Sequence, residues 1–461
     1  MISSDSFDVD RRRNETLNPT EFEKVTATFA NFHREFASLF GRKEAIQRSE
    51  QYLRGLLVQQ TDRRNAENIS EAVEDATPRA LQRFLTESPW PDEPVIHRLQ
   101  EYVGHLLSSP DGVFVLDETG FPKKGKKSVG VTRQYCGTLG KVANCQMGVF
   151  LAYVSEQGHA LIDKRLYLPK EWTDNPQRCR EAGVPEEVGY QSTAELGLSM
   201  LRQARAQGHL MGPWVTADEA YGKIPTLRDD LDTEGWLYVL EVPCAQPVFS
   251  KPARTEVPAW SGHGPHPTKL RLVEGEPGSQ AVEVVAASLT EADWQLLTVA
   301  EGAQGPRSYL FAAQRVWESR DGLPGRECWL VLRRNPDGSE PKYYLSNAPG
   351  DTPLLTLAQV GAKRWPVETE FQTEKGETGL DEYEVRSWPG WHHHITLSLL
   401  AGTFLLSLQQ EWGKKYAPGD SATDQSRAAR AVAPASLDSR GVDALAGRHS
   451  IAERTFQALP C

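Results

Sequence analysis

The chain has 461 residues, 39% hydrophobic and 25% charged, with a formal net charge of −11. That length predicts two to four domains, and the balance is that of a soluble globular chain. The longest apolar run, 395–406, is interrupted by Thr396, Ser398, Gly402 and Thr403, which excludes a membrane span. The acidic balance counts mildly against nucleic-acid binding, although a local basic patch can bind DNA on an acidic protein. The six cysteines are scattered without zinc spacing, and the first residues are polar with no signal peptide. Reduced thiols and a cytoplasmic protein are expected.

Residues 1–18 are polar and include Arg11-Arg12-Arg13; a flexible arm is predicted there. A helical domain follows over 19–110. Phe22, Val25, Phe29, Phe32, Phe36 and Phe40 keep a helical spacing, and Gly41 ends that helix. Tyr52, Leu53, Leu56 and Leu57 mark the next helix. Thr77 is a good N-cap and Pro78 suits a first turn, so 77–85 reads as the second of two short helices. Arg79, Gln82 and Arg83 lie off the apolar face of Leu81, Phe84 and Leu85. Two readings stand: a helix-turn-helix with a recognition helix in a major groove, or an ordinary helical pair in a bundle.

Val113-Phe114-Val115-Leu116 runs straight into Asp117, and Trp214-Val215-Thr216-Ala217 into Asp218. Each run reads as a buried strand delivering an acid at its carboxyl end, the first turning by Gly120. Strands are predicted at 112–118, 128–137, 146–155 and 158–168, a helix at 192–207, a strand at 214–218, a helix at 224–231 and a strand at 236–242. This is the order of an α/β, ribonuclease H-like core, whose first and fourth strands are neighbours. Asp117 and Asp218 would then share one rim. Either Asp alone also reads as a turn residue. Lys123, Lys124, Lys126 and Lys127 form a basic patch just beyond Asp117, either a DNA contact or a solvated hairpin tip.

The first part of the core is placed at 111–242. Pro and Gly then become frequent, and 243–350 reads as a β-rich insertion with strands at 283–287, 309–316, 328–333 and 342–346. The second part of the core, 351–415, is helical. Pro366 starts a fresh segment with Glu368 in its first turn, and Arg364, Glu368, Phe371 and Lys375 fall near one face. A core helix is expected at 391–412, then a loosely structured tail over 416–461. His392-His393-His394 lacks the paired spacing of a zinc site.

Three carboxylates from separate elements suit hard divalent cations, which take oxygen ligands. Two such ions can activate a nucleophile and stabilise a leaving oxygen. Asp117, Asp218 and Glu368 fit, provided that the Glu368 helix packs beside the sheet. Glu370, Glu374 and Glu377 are nearby alternatives to Glu368.

Several longer stretches carry a resemblance. They are Leu116-Asp117-Glu118-Thr119-Gly120-Phe121-Pro122-Lys123-Lys124-Gly125, Gly130-Val131-Thr132-Arg133-Gln134-Tyr135 and Leu166-Tyr167-Leu168-Pro169-Lys170-Glu171-Trp172. Ala217-Asp218-Glu219-Ala220-Tyr221-Gly222 and Gly379-Leu380-Asp381-Glu382-Tyr383-Glu384-Val385-Arg386-Ser387-Trp388 continue them. Over roughly residues 20–410 the chain resembles bacterial Asp-Asp-Glu insertion-sequence transposases of the insertion-sequence-701 family. The resemblance implies a ribonuclease H-like core interrupted by a β-rich insertion before the catalytic Glu. It implies cleavage at transposon ends and strand transfer into target DNA, with two Mg²⁺ ions for which Mn²⁺ can substitute.

The related group carries a Tyr-Arg-Glu-Lys signature. Arg364, Glu368 and Lys375 hold its last three places, which selects Glu368, while Gly361 stands where the Tyr would be. By the same carry-over, Asp117, Asp218 and Glu368 are the catalytic and metal-binding acids, and Arg364 and Lys375 hold phosphates. Trp365 or Trp388 would stack on an unpaired base, or else pack in the core. Double-stranded DNA is the implied partner, as terminal inverted repeats and target, contacted by Arg79, Arg83, Lys123, Lys124, Lys126, Lys127 and Arg386. A homodimer is implied in the DNA complex. The alternatives are a transposase-derived regulator without transposition and a metal-dependent nuclease without strand transfer.

Overall fold

The computed structural model describes residues 19–58, 63–260, 262–302 and 305–413. The expected arm at 1–18 and tail at 416–461 lie outside the described residues.

The chain opens with helices α1 (Pro19–Ala37), α2 (Lys43–Leu57), α3 (Ala66–Ala72), α4 (Pro78–Thr86) and α5 (Asp92–Leu107). Their apolar faces meet a much later helix, α11 (Trp388–Gly413), as when Phe29 and Phe32 pack on Phe404. Residues 391–401 of α11 are buried on all sides, consistent with its lack of a polar face. At α4 the Thr77 side chain accepts from the Ala80 N–H, while Leu81, Phe84 and Leu85 are buried.

The sheet core contains β1 (Val113–Pro122), β2 (Thr132–Cys136), β3 (Lys141–Ser155) and β4 (Gly158–Leu166). After α6 (Thr193–Gln207) come β5 (Trp214–Ala217), the single turn α7 (Glu219–Gly222), α8 (Pro225–Thr233) and β6 (Leu237–Val242). Spatially the order is β4-β3-β1-β5-β6. β1 runs antiparallel to β3 and parallel to β5, and β5 parallel to β6. β1 and β5, the strands that end at Asp117 and Asp218, are therefore neighbours. β1 does not turn at Gly120. It continues to Pro122, because β3 is long enough to pair it as far as Cys145, whereas its ladder with β5 stops at Leu116.

The segment after β6 does not leave the sheet. β7 (Pro247–Phe249), β8 (Gln295–Gly302), β9 (Gly305–Arg320), β10 (Leu323–Arg334) and β11 (Lys342–Ser346) extend it beyond β6, where β11 pairs antiparallel. They enclose an apolar cluster of their own, including Val248, Val316, Leu330 and Leu345. The strand expected at 283–287 is instead a helix, Val282–Ala287, with Val282 and Val285 buried one turn apart. Helix α9 (Leu354–Ala362) follows, and α10 (Trp365–Glu377) begins with Pro366 in its first turn. No helix among the described residues is long and apolar enough to cross a membrane.

Candidate active site

Three parallel strands carry the acids. Leu116 pairs with Ala217 and Ala217 with Leu240. One residue on from each lie Asp117, Asp218 and Glu241, so register alone lines up three carboxylates. Asp117 Oδ1 accepts from the Glu118 N–H at 2.8 Å. Asp218 caps α7, its Oδ1 accepting from the Ala220 and Tyr221 N–H groups at 2.9 and 3.4 Å. Glu368 comes from the first turn of α10 and is half exposed.

Arg364, at the N-cap of α10, joins them. Its Nη2 lies 2.7 Å from Glu368, its Nη1 3.8 Å from Asp117 and its Nε 3.8 Å from Glu241. Burial opposes the guanidinium charge, but Glu368, Asp117, Glu241 and Asp218 outweigh it and hold Arg364 above its ordinary pKa. Burial pushes Asp117 up to about 7; Arg364 opposes this and the Asp218 charge adds to it. Asp218 is raised by burial, and Glu118 reaches about 7 through burial and the Asp218 charge. The acids thus form a crowded negative site into which the Arg364 cation reaches.

Lys375 stands on the same helix, donating to the hydroxyls of Thr119 and Thr138 at 2.8 and 3.1 Å. Thr119 is two residues beyond Asp117, on the same strand face. Five residues of β1, roughly 17 Å of strand, lead from Asp117 to the basic loop. There Lys124, Lys126 and Lys127 are exposed. Lys123 differs: its ammonium sits 3.5 Å from the Tyr383 ring centroid, and burial lowers its pKa to about 8. This loop, Arg63, Gln82 and Arg386 line a cavity of about 1530 Å³ that also contains Glu67, Asp381 and Glu384. Arg79 and Arg83 are exposed nearby on α4, Arg83 paired with Glu87.

Other candidates stand apart. The Trp388 ring packs 4.4 Å from His392, and the Trp388 backbone N–H donates to the Ala182 carbonyl. Trp365 is exposed and carries Arg307 on its face. The three histidines are buried packing groups. His392 meets Lys164, His393 the Leu85 and Trp90 carbonyls, and His394 Tyr52 and the Gly379 carbonyl.

Sequence reasoning missed Glu241, Thr119 and Thr138. Glu241 did leave a signal: it is the one acid in the strand Leu237–Val242. Among the described residues no group of three His, Cys, Asp or Glu side chains stands as a ready-made metal cage. The donor set still fits a hard divalent ion: it is all oxygen and mutually repelling, with Asp117 buried, Asp218 partly buried and Glu368 half exposed. Such ions are commonly held by one or two carboxylates plus substrate phosphate.

Residues 35–306 match the family model described as DDE superfamily endonuclease. The chain belongs to that family. The matched region takes in Asp117 and Asp218 and ends before Glu368. The chain is also 34% identical over 342 residues to the probable transposase for insertion sequence element IS701 of Microchaete diplosiphon. That alignment covers 73% of this chain and 77% of the relative. The protein is accordingly an Asp-Asp-Glu enzyme of the IS701 transposase type. A cryo-EM structure of a piggyBac transposase synaptic complex with hairpin DNA aligns over 91% of this chain and 81% of that one. At 10% identity and a TM-score of 0.38 that likeness carries no argument.

Proposed function

We propose that this DDE enzyme has a ribonuclease H-like core and cuts DNA at the terminal inverted repeats of its own element, then joins the freed ends to target DNA. The observation that carries the reading is that Asp117 and Asp218 end neighbouring strands while Arg364 lies 3.8 Å from Asp117 and 2.7 Å from Glu368, which a distant helix supplies.

In this reading the three acids hold two Mg²⁺ ions, with Mn²⁺ able to substitute. When bound, such ions lower the pKa of an attacking hydroxyl and stabilise the leaving oxygen. The chain's own residues bind and orient. Arg364 and Lys375 hold phosphates beside the scissile bond. Lys124, Lys126, Lys127 and Arg386 track the backbone along the large cavity, and Arg79, Gln82 and Arg83 of α4 read the duplex next to it. Lys123 contributes to that wall while anchored on Tyr383. Two copies of the chain act on a pair of ends in the cytoplasm.

The test uses a duplex bearing the inverted repeats that flank the gene. The wild-type chain is expected to cleave it and join it to target DNA only with Mg²⁺ or Mn²⁺. Asp117→Asn is expected to lower cleavage by at least about 10³-fold while retaining end binding. Undiminished cleavage by that variant would falsify the assignment. Cleavage without joining would reduce the protein to a nuclease, and end binding without cleavage to a regulator.

A further inference from the structure

Glu241 is only 5% exposed, deep for a carboxylate, and such a group persists when its charge is paired. Each of its oxygens faces a cation. Oε1 lies 2.5 Å from Lys342 Nζ and Oε2 lies 3.8 Å from Arg364 Nε. Lys342 begins β11, the insertion strand that pairs with β6, where Tyr343 meets Val242 and Tyr344 meets Glu241. The guanidinium therefore has a divided arrangement. Its inner Nε edge faces Glu241, while Nη1 and Nη2 face Asp117 and Glu368. Glu241, Lys342 and Arg364 also line one cavity of about 770 Å³, between α9 and the insertion strands.

We propose that Glu241 is a positioning residue: it fixes the Arg364 guanidinium over the Asp117–Asp218–Glu368 site, and Lys342 ties that position to the insertion. This rests on the reading of Arg364 as a phosphate contact. The planar fork of arginine presents its nitrogens as a unit, so holding one edge aims the other. A lysine in that place could not be aimed in this way. The chain Lys342–Glu241–Arg364 makes the insertion part of the catalytic geometry rather than an appendage. The acid needed for this sits in register with Asp218, which explains why a charge interrupts the apolar strand Leu237–Val242.

The experiment is a double-mutant cycle on the full chain, with the inverted-repeat duplex as substrate. Single-turnover cleavage and half-saturating DNA concentration are measured for wild type, Glu241→Gln, Arg364→Ala and the double variant. Glu241→Gln is expected to lower the maximal rate about 10- to 100-fold, as a misplaced group does, with half-saturation within about twofold. The double variant is expected to cleave no more slowly than Arg364→Ala alone. Losses that multiply in the double variant, or wild-type cleavage by Glu241→Gln, would overturn the proposal and leave the Arg364 assignment standing. Wild-type cleavage by Arg364→Ala would overturn that assignment, and the proposal with it. Lys342→Gln, at a more exposed position, repeats the test if Glu241→Gln loses its cooperative melting. A severalfold drop in maximal rate, absent in the Arg364→Ala background, is then expected, and an unchanged or multiplied effect refutes the proposal.

Discussion

Gly222 fixes the approach of two acids by having no side chain. A Cβ built there would lie 1.8 Å from the Glu241 carbonyl oxygen. Only glycine lets α7 lie this close to β6, and α7 is the turn that Asp218 caps. Gly222→Ala must push α7 away and carry Asp218 with it. The expected outcome is about 1–3 kcal/mol of lost stability and roughly 100-fold slower cleavage, read by urea denaturation and single-turnover assay. Wild-type cleavage would mean that Asp218 need not stand beside Glu241. His394 makes a prediction in pH. Burial lowers its pKa to about 3, so the folded chain keeps it neutral while the unfolded chain takes up a proton below about 6.5. Its contribution is fully present above pH 6.5 and is lost as pH falls toward 3. Thermal melts at pH 7 and pH 5 should therefore show a smaller drop for His394→Gln than for wild type; an equal or larger drop contradicts the assignment.

The α10 element must hold Glu368 at a fixed distance from the strands, and it does so with few apolar groups. Val367 and Phe371 are buried, the latter in a T-shaped contact with Phe150. Much of the remaining attachment is polar: Arg364 at one end, Lys375 toward the other, Glu370 facing His159, and Glu374 between them. Burial raises Glu374 well above the ordinary carboxyl range, which favours its neutral form; it is hydrogen-bonded with Thr378, which in turn meets Ser398 of α11. Glu374→Gln, equally neutral and nearly isosteric, should cost under about 1 kcal/mol, whereas Glu374→Ala should cost about 2–4 kcal/mol through the cavity and orphaned hydroxyls. Denaturant unfolding separates the two, and equal costs would mean that Glu374 is ionised. Much of this helix was legible in the sequence. Pro366 marks its start and a step of four pairs Arg364 with Glu368, because both depend on local geometry. The length of β1 was not legible, since its end depends on how far β3, some 25 residues later, continues to pair. Nor was the helix at Val282–Ala287, where Val282, Val284 and Val285 suit either period and the buried pair Val282 and Val285 decides. Glu241 showed as an anomaly without a role, because its partners Lys342 and Arg364 lie about a hundred residues away.

Across the whole molecule, the β-rich segment is joined to the core by more than its two chain crossings. The β6–β11 ladder makes one sheet of both, and a fully buried ion pair spans them. Arg228 of α8 is 0% and Glu318 of β9 is 1% exposed, with Nε–Oε1 at 3.1 Å and Nη2–Oε2 at 3.3 Å. Arg228 also donates to the Gly222 carbonyl and Arg320 pairs with Glu318, so the pair reaches from the insertion to the turn that carries Asp218. Removing one member strands a desolvated charge, which costs far more than the pair itself contributes. Glu318→Ala is expected to lose about 3–5 kcal/mol, and Arg228→Met combined with Glu318→Leu to recover much of that loss. If core and insertion are one cooperative unit, Trp fluorescence and far-ultraviolet circular dichroism will follow a single coincident unfolding transition in wild type and variants alike. A separate early transition for Glu318→Ala that left end cleavage intact would show instead that the insertion melts on its own and that its contacts with α8 do not support the catalytic turn.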